Sequence, residues 1–184
     1  MKRRIIVVLA LLGLATSQPS PFKARLEGAI RSGGDSYAQV LLVQDPAQQL
    51  CTQYRGQLPA ALLPQFLQEQ KALIRYPQGG KLLGEWQNGQ KVFTDPKRGN
   101  CYACHQGDPK ELAYGTMGPS LTGYGSRGTS EAVLRYTYEK IYNSWAYVPC
   151  SLMYRGGVHG LFTPEETADL VAFLVDPHSP INQR

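Results

Sequence analysis

The sequence predicts a mainly α-helical protein: a helical domain over residues 85–184, an N-terminal extension over residues 18–84, and a leader over residues 1–17. Three observations point there. Apolar residues after Ser130 and Thr163 recur at helical spacing, Gly-rich loops instead of alternating strands join these runs, and the clearest apolar run of the chain sits at its start. The 184 residues, 42% hydrophobic and 18% charged with 19 Gly and 13 Pro in no repeat, suit one folded domain with an extension. That composition excludes a large multidomain enzyme, a fibrous chain and a disordered one.

Lys2-Arg3-Arg4, the apolar run Ile5 to Leu14 and the small residues Ala15-Thr16-Ser17 follow the order of a secretory signal peptide. The run is about half of the ~20 residues needed to cross a bilayer, so an uncleaved anchor is the weaker reading and no other stretch is long enough to span. Loss of residues 1–17 lowers the formal charge from +5 to +2, too weak a field to argue for nucleic acid. Export places the thiols in a periplasm-like compartment where disulfides form.

Residues 18–57 are poorly periodic and carry the breakers Gly33-Gly34-Asp35 and Asp45-Pro46, with Tyr37 to Val43 readable as a short strand or a docking segment. Pro59 to Ile74 predicts a helix, stopped at Tyr76-Pro77-Gln78-Gly79-Gly80. Gly80 to Phe93 is a second candidate, weakened by Gly84 and Gly89. Ser130 caps a helix whose face is Val133, Leu134, Tyr138, Ile141 and Tyr142. Thr163, Pro164 and Glu166 form a capping box before Leu170, Val171, Phe173 and Leu174, with a stop at Asp176-Pro177.

Between these helices lies Cys101-Tyr102-Ala103-Cys104-His105, the Cys-x-x-Cys-His attachment sequence for c-type haem. Two thiols on one turn can each add to a haem vinyl group, which brings His105 under the iron as an axial ligand. A zinc site would want a second close pair, which Cys51, Cys150, His159 and His178 do not form, and a redox dithiol would want βαβ units. The sixth iron position has two candidates. Met117 lies in Gly115-Thr116-Met117-Gly118-Pro119-Ser120-Leu121, which resembles the class I cytochrome c loop whose Pro carbonyl receives the proximal His N–H; that likeness puts Pro119 beside His105 and Met117 on the wrong side. Met153, in the loop between the last two helices, is the expected distal ligand. His159 reads as a surface side chain that competes with it only if the loop folds otherwise, and His178 as solvent-exposed. Cys51 and Cys150 either pair as a disulfide or remain separate, one buried and one facing a partner. The aromatics Tyr136, Tyr138, Tyr142, Trp145 and Tyr147 read as pocket walls.

A more specific likeness covers residues 85–182. Gly99 to His105, Met117 to Leu121, Gly123-Tyr124-Gly125, the run Arg135 to Met153, and Asp169 to Leu174 resemble the SoxX family, the monohaem cytochrome c subunits of the SoxAX complexes of sulfur-oxidising bacteria. That family continues after its Met with Pro-Arg-Phe-Gly, whereas this chain has Tyr154-Arg155-Gly156-Gly157, and loss of the Pro loosens the distal loop. The resemblance implies a class I cytochrome c-like domain with one covalently bound haem c, held by Cys101, Cys104, His105, Pro119 and Met153, with iron ligands His105 and Met153. It implies a periplasmic heterodimer with SoxA, in which SoxA is catalytic and this chain takes up electrons released when thiosulfate is oxidatively joined to a cysteine of the carrier SoxYZ. The chain would then be the electron-transfer subunit of an L-cysteine S-thiosulfotransferase, passing electrons to a downstream cytochrome and not catalytic alone. A freestanding shuttle and a haem-based sensor are the alternatives. Residues 18–84, with Val40 to Val43, Leu62, Phe66 and Leu67, offer apolar surface to a permanent partner or pack on their own haem domain.

Overall fold

The computed structural model describes residues 20–34, 38–39 and 42–183. The leader over residues 1–17 lies outside them, as do Tyr37, Val40 and Leu41. The chain divides into two units, Met1–Asp45 and Pro46–Arg184.

In the first unit α1 (Pro21–Arg31) begins with Ser20 as cap, its Oγ accepting from the Lys23 N–H at 3.3 Å, and Pro21 at the first helical position. No residue of α1 is buried, and Phe22 and Leu26 stand exposed. Phe22, Leu26 and Ile30 recur at a spacing of four, a stripe present in the sequence that the helix leaves unburied. Residues 38, 39 and 42 are helical, so the described part of the 37–43 segment is not a strand.

The second unit opens with α2 (Pro46–Gln53), where Pro46 starts the helix that it had seemed to prevent. A 3₁₀ turn (Ala60–Leu62) leads into α3 (Leu63–Ala72), so the helix expected over Pro59–Ile74 is shorter at both ends. Phe66 is buried with its ring 6.0 Å from that of Trp145; this side chain is spent inside the unit and is not surface for a partner. The helix expected from Gly80 begins instead at Trp86, as α4 (Trp86–Thr94).

Ser130 caps α5 (Glu131–Tyr142), accepting from the Val133 N–H at 3.4 Å. In α6 (Pro164–Val175) the capping box is complete: the Glu166 N–H donates to Thr163 Oγ1 at 3.1 Å and the Thr163 N–H to Glu166 Oε2 at 2.9 Å. From Leu170 to Val175 every residue of α6 is buried, because α4 packs on one side of it and α5 on another. The α4–α6 crossing is close. A Cβ on Gly89 would stand 2.0 Å from the Asp169 carbonyl oxygen, so the glycine that weakened the helix in sequence is what lets the two backbones meet. Val92, Phe93, Tyr138, Tyr142, Leu170 and Phe173 form the centre of the core.

Residues 46–76 are sewn onto this bundle by polar contacts as well. Asn143 Nδ2 donates to the Gln70 carbonyl at 2.7 Å, Tyr138 Oη to the Arg75 carbonyl at 2.6 Å, and Tyr76 Oη to Glu139 Oε1 at 2.6 Å. Among the described residues no helix is long and apolar enough to cross a membrane.

Candidate haem site

Asn100, in the left-handed region at φ 43°, turns the chain from α4 into a 3₁₀ turn, Cys101–Ala103. The Cys104 and His105 N–H groups donate back to the Cys101 carbonyl at 3.1 and 2.9 Å, which gathers both thiols and the imidazole on one turn. Neither thiol is in a disulfide.

Above this turn lies a cavity, open on one side, enclosing about 960 Å³ with its mouth included. Its walls are mainly Phe93, Leu121, Ile141, Phe162, Leu170 and Leu174, and Cys101, His105, Pro119 and Met153 all face it. A contiguous outer recess shares His105, Met153, Lys140 and Tyr154 and adds Cys104, Met117, Val148 and Leu152. The apolar lining suits a large flat cofactor.

His105 Nδ1 lies 2.7 Å from the Pro119 carbonyl oxygen. A carbonyl only accepts, so the proton is on Nδ1 and Nε2 keeps its lone pair for a metal. The loop lies flat on the ring: a Cβ on Gly118 would come within 2.2 Å of His105 Cε1. Met153 approaches from the loop after α5. Its N–H donates to Ser151 Oγ at 3.1 Å and its carbonyl accepts from Ser144 Oγ. Met117, by contrast, is 67% exposed and borders only the outer recess.

Burial pushes the Cys101 thiol up to about 12, against a smaller opposite effect of the hydrogen bond from Tyr154. Tyr154, whose Oη donates to the Gly99 carbonyl, is itself raised, first by burial and then by Cys101. Sequence reading passed over Tyr154, noting only that it replaces a Pro. It passed over two cavity cations as well. Lys140, lowered by burial, donates from Nζ to the Ser144 carbonyl at 3.3 Å, and the Arg127 guanidinium stacks 4.6 Å over Tyr124. Two cations on an otherwise apolar wall match a planar apolar ring that carries carboxylates, as haem does. No sequence signal marked them, since a lone Arg in a Gly loop and a Lys on a helix are ordinary surface residues.

The remaining candidates fall elsewhere. His159 is exposed with Nε2 3.2 Å from Arg155 Nη2, and His178 is exposed beside Asp176 at 3.1 Å. Cys51 and Cys150 are joined as a disulfide, with Cα atoms 5.6 Å apart. Among the described residues no three His, Cys, Asp or Glu gather into a metal site and there is no β-strand, which removes the zinc and βαβ-dithiol readings of the motif.

Residues 86–176 match the family described as cytochrome c. The chain carries a cytochrome c domain over these residues. It is also 43% identical over 166 residues to a protein of Aquifex aeolicus (strain VF5) described as an uncharacterized lipoprotein, an overlap of 83% of this chain and 79% of that one. This cytochrome therefore carries one covalently bound haem c through the Cys101–His105 motif, and its chemistry is haem-based electron transfer. The apolar cavity, the free thiols and the imidazole with its lone pair directed by Pro119 fit that group.

Proposed function

We propose that this cytochrome is the electron-transfer subunit of a SoxAX-type complex in the periplasm. The observation that supports a relay role is that His105 and Met153 line one cavity. His105 and Met153 would hold the iron there and leave it no open position for thiosulfate, and a thioether ligand would favour the reduced state. Bound there, haem c supplies one-electron transfer. The chain does the rest: Cys101 and Cys104 hold the group, Pro119 orients the His105 ring, and Phe93, Ile141 and Leu174 keep water from it. The sulfur branch of the reading rests on the resemblance of the run Arg135 to Met153, which covers most of α5 and the turn after it. In it, SoxA joins thiosulfate to a SoxYZ cysteine, two electrons leave, and this subunit passes them singly to a further cytochrome.

A freestanding shuttle is the second reading, favoured by one observation: residues 46–76 are packed and disulfide-bonded onto their own haem domain, which uses Phe66 internally. As for anchoring, the Aquifex relative is described as a lipoprotein, but the four cysteines of this sequence are all engaged, two in the disulfide and two in the haem motif. The leader over residues 1–17 supports a periplasmic location. The test is to purify a tagged form from its native periplasm at moderate salt and measure the haem stain and mass of what co-elutes. A stoichiometric larger c-type cytochrome, with thiosulfate-dependent haem reduction on adding a sulfur carrier protein, supports the SoxAX reading. Elution alone as a reducible monohaem species sinks it in favour of the shuttle.

A further inference from the structure

Arg155 is 2% exposed and is the largest fully buried side chain described. A guanidinium does not deprotonate, and burying one costs several kcal/mol unless it is well met, so this position is built around it. Nη1 donates to Gln70 Oε1 at 3.1 Å, the guanidinium lies 4.2 Å from the centre of the Trp145 ring, and Nη2 is 3.2 Å from His159 Nε2. Both main anchors are themselves fixed. Gln70 is 2% exposed and held at its carbonyl and Oε1 by Asn143 Nδ2, at 2.7 and 3.2 Å. Trp145 packs on Phe66 and donates from Nε1 to the Ser151 carbonyl at 2.8 Å.

The arrangement surrounds Met153. Three residues before it, Cys150 is joined to Cys51 of α2; two residues after it, Arg155 is joined to Gln70 of α3; and Trp145 touches both sides, at Ser151 and at Arg155. Beyond Arg155 the backbone itself packs against the core, with Gly156 and Gly157 under the Phe162 and Tyr142 rings, where a Cβ would come within 1.9 and 2.3 Å. Residue 154, a Tyr, does not stiffen the backbone as a Pro would. The loop after Met153 is tied by Tyr154 Oη to the Gly99 carbonyl, by the Gly157 N–H to the Tyr142 carbonyl at 3.0 Å and, toward α3, by the Arg155 guanidinium.

We propose that Arg155 is a positioning residue for Met153: its guanidinium, clamped between Gln70 and Trp145, fixes where the thioether reaches into the haem cavity. The proposal rests on the reading of Met153 as distal ligand. It also gives residues 63–72 a purpose within this chain, as the fixed post to which the distal loop is tied.

The test uses the full-length holoprotein and three variants, Arg155→Gln, Gln70→Met and Met153→Ala. Each is checked for covalent haem and far-UV helix content, then read by the weak near-infrared Met–Fe(III) charge-transfer band, by imidazole binding to the ferric form, and by amide exchange over residues 151–157. A loosened Met153 competes less well, so Arg155→Gln and Gln70→Met should lose most of the band and bind imidazole about tenfold more tightly, with faster exchange confined to the loop. Should Arg155→Gln fail to fold, Gln70→Met decides, since it removes the acceptor and leaves the charge in place. Wild-type band and imidazole affinity in the folded variants overturn the positioning role alone, provided Met153→Ala abolishes the band. A band that survives in Met153→Ala overturns the ligand reading and the positioning role together.

Discussion

Removing the Cys51–Cys150 link is the perturbation whose size follows most directly from the structure. The bond closes a loop of sequence separation 99, and loop-closure entropy for about 100 residues is worth about 4.7 kcal/mol at 25 °C. Against that stands Cys150 in the left-handed region at φ 57°, a conformation costing a non-glycine residue roughly 1–2 kcal/mol that the cut chain can relax. The net loss is then about 3 kcal/mol, or roughly 10 °C in Tm for a unit of this size. The assay is thermal unfolding of the holoprotein by far-UV circular dichroism, comparing wild type with Cys51→Ala/Cys150→Ala and with wild type treated with a dithiol. Because Cys150 lies three residues before Met153, the near-infrared Met–Fe(III) band of the cut protein should also fade before its helices melt. A fall in Tm below about 3 °C in both cut forms would refute the loop-entropy reasoning, since relaxation at Cys150 is too small to hide the difference.

Four further outcomes follow from particular contacts. Gly89→Ala gains about 1 kcal/mol of helix propensity but drives a Cβ to within 2.0 Å of the Asp169 carbonyl, an overpacking cost of about 3 kcal/mol, so differential scanning should show a lower Tm. The control Gly28→Ala, with nothing within 4 Å, should not lower it. Arg98 meets Glu166 at 2.6 Å and holds its carboxyl below the ordinary value of 4.5. The stability this adds is present above that value and lost as pH falls through and below it. The pair is partly exposed and worth at most about 1 kcal/mol, so Arg98→Met should lower Tm at pH 7 by more than it does once Glu166 is protonated in both, the remainder being the bond from Arg98 to the Leu161 carbonyl. Met153→Ala should abolish the near-infrared band, whereas loss of the band in Met117→Ala instead would reverse the assignment of the distal ligand. Cys101→Ala/Cys104→Ala should leave no haem stain on a denaturing gel, and retained stain would end the covalent assignment.

What the sequence made legible follows from how local each signal is. The caps at Ser130 and Thr163 and the Cys101–His105 turn are set by residues within four positions of one another, and each was readable without knowing the rest of the fold. The Pro119 carbonyl on His105 was equally readable, because a loop returning after fourteen residues leaves little freedom in where it lands. What escaped depends on contacts far apart in sequence. Gly89 looked like a helix defect until Asp169 was placed against it, and Arg155 looked like any loop arginine until Gln70, 85 residues away, was found beneath it. The ties across the boundary expected at residues 84 and 85 have the same origin. The haem motif and its helices are complete after residue 85, yet Met153 is braced by Cys51, Phe66 and Gln70, directly or through Trp145 and Arg155. A segment that carries none of the haem motif thus holds the loop that brings Met153 to the cavity, and no reading limited to the motif-bearing half reaches that dependence.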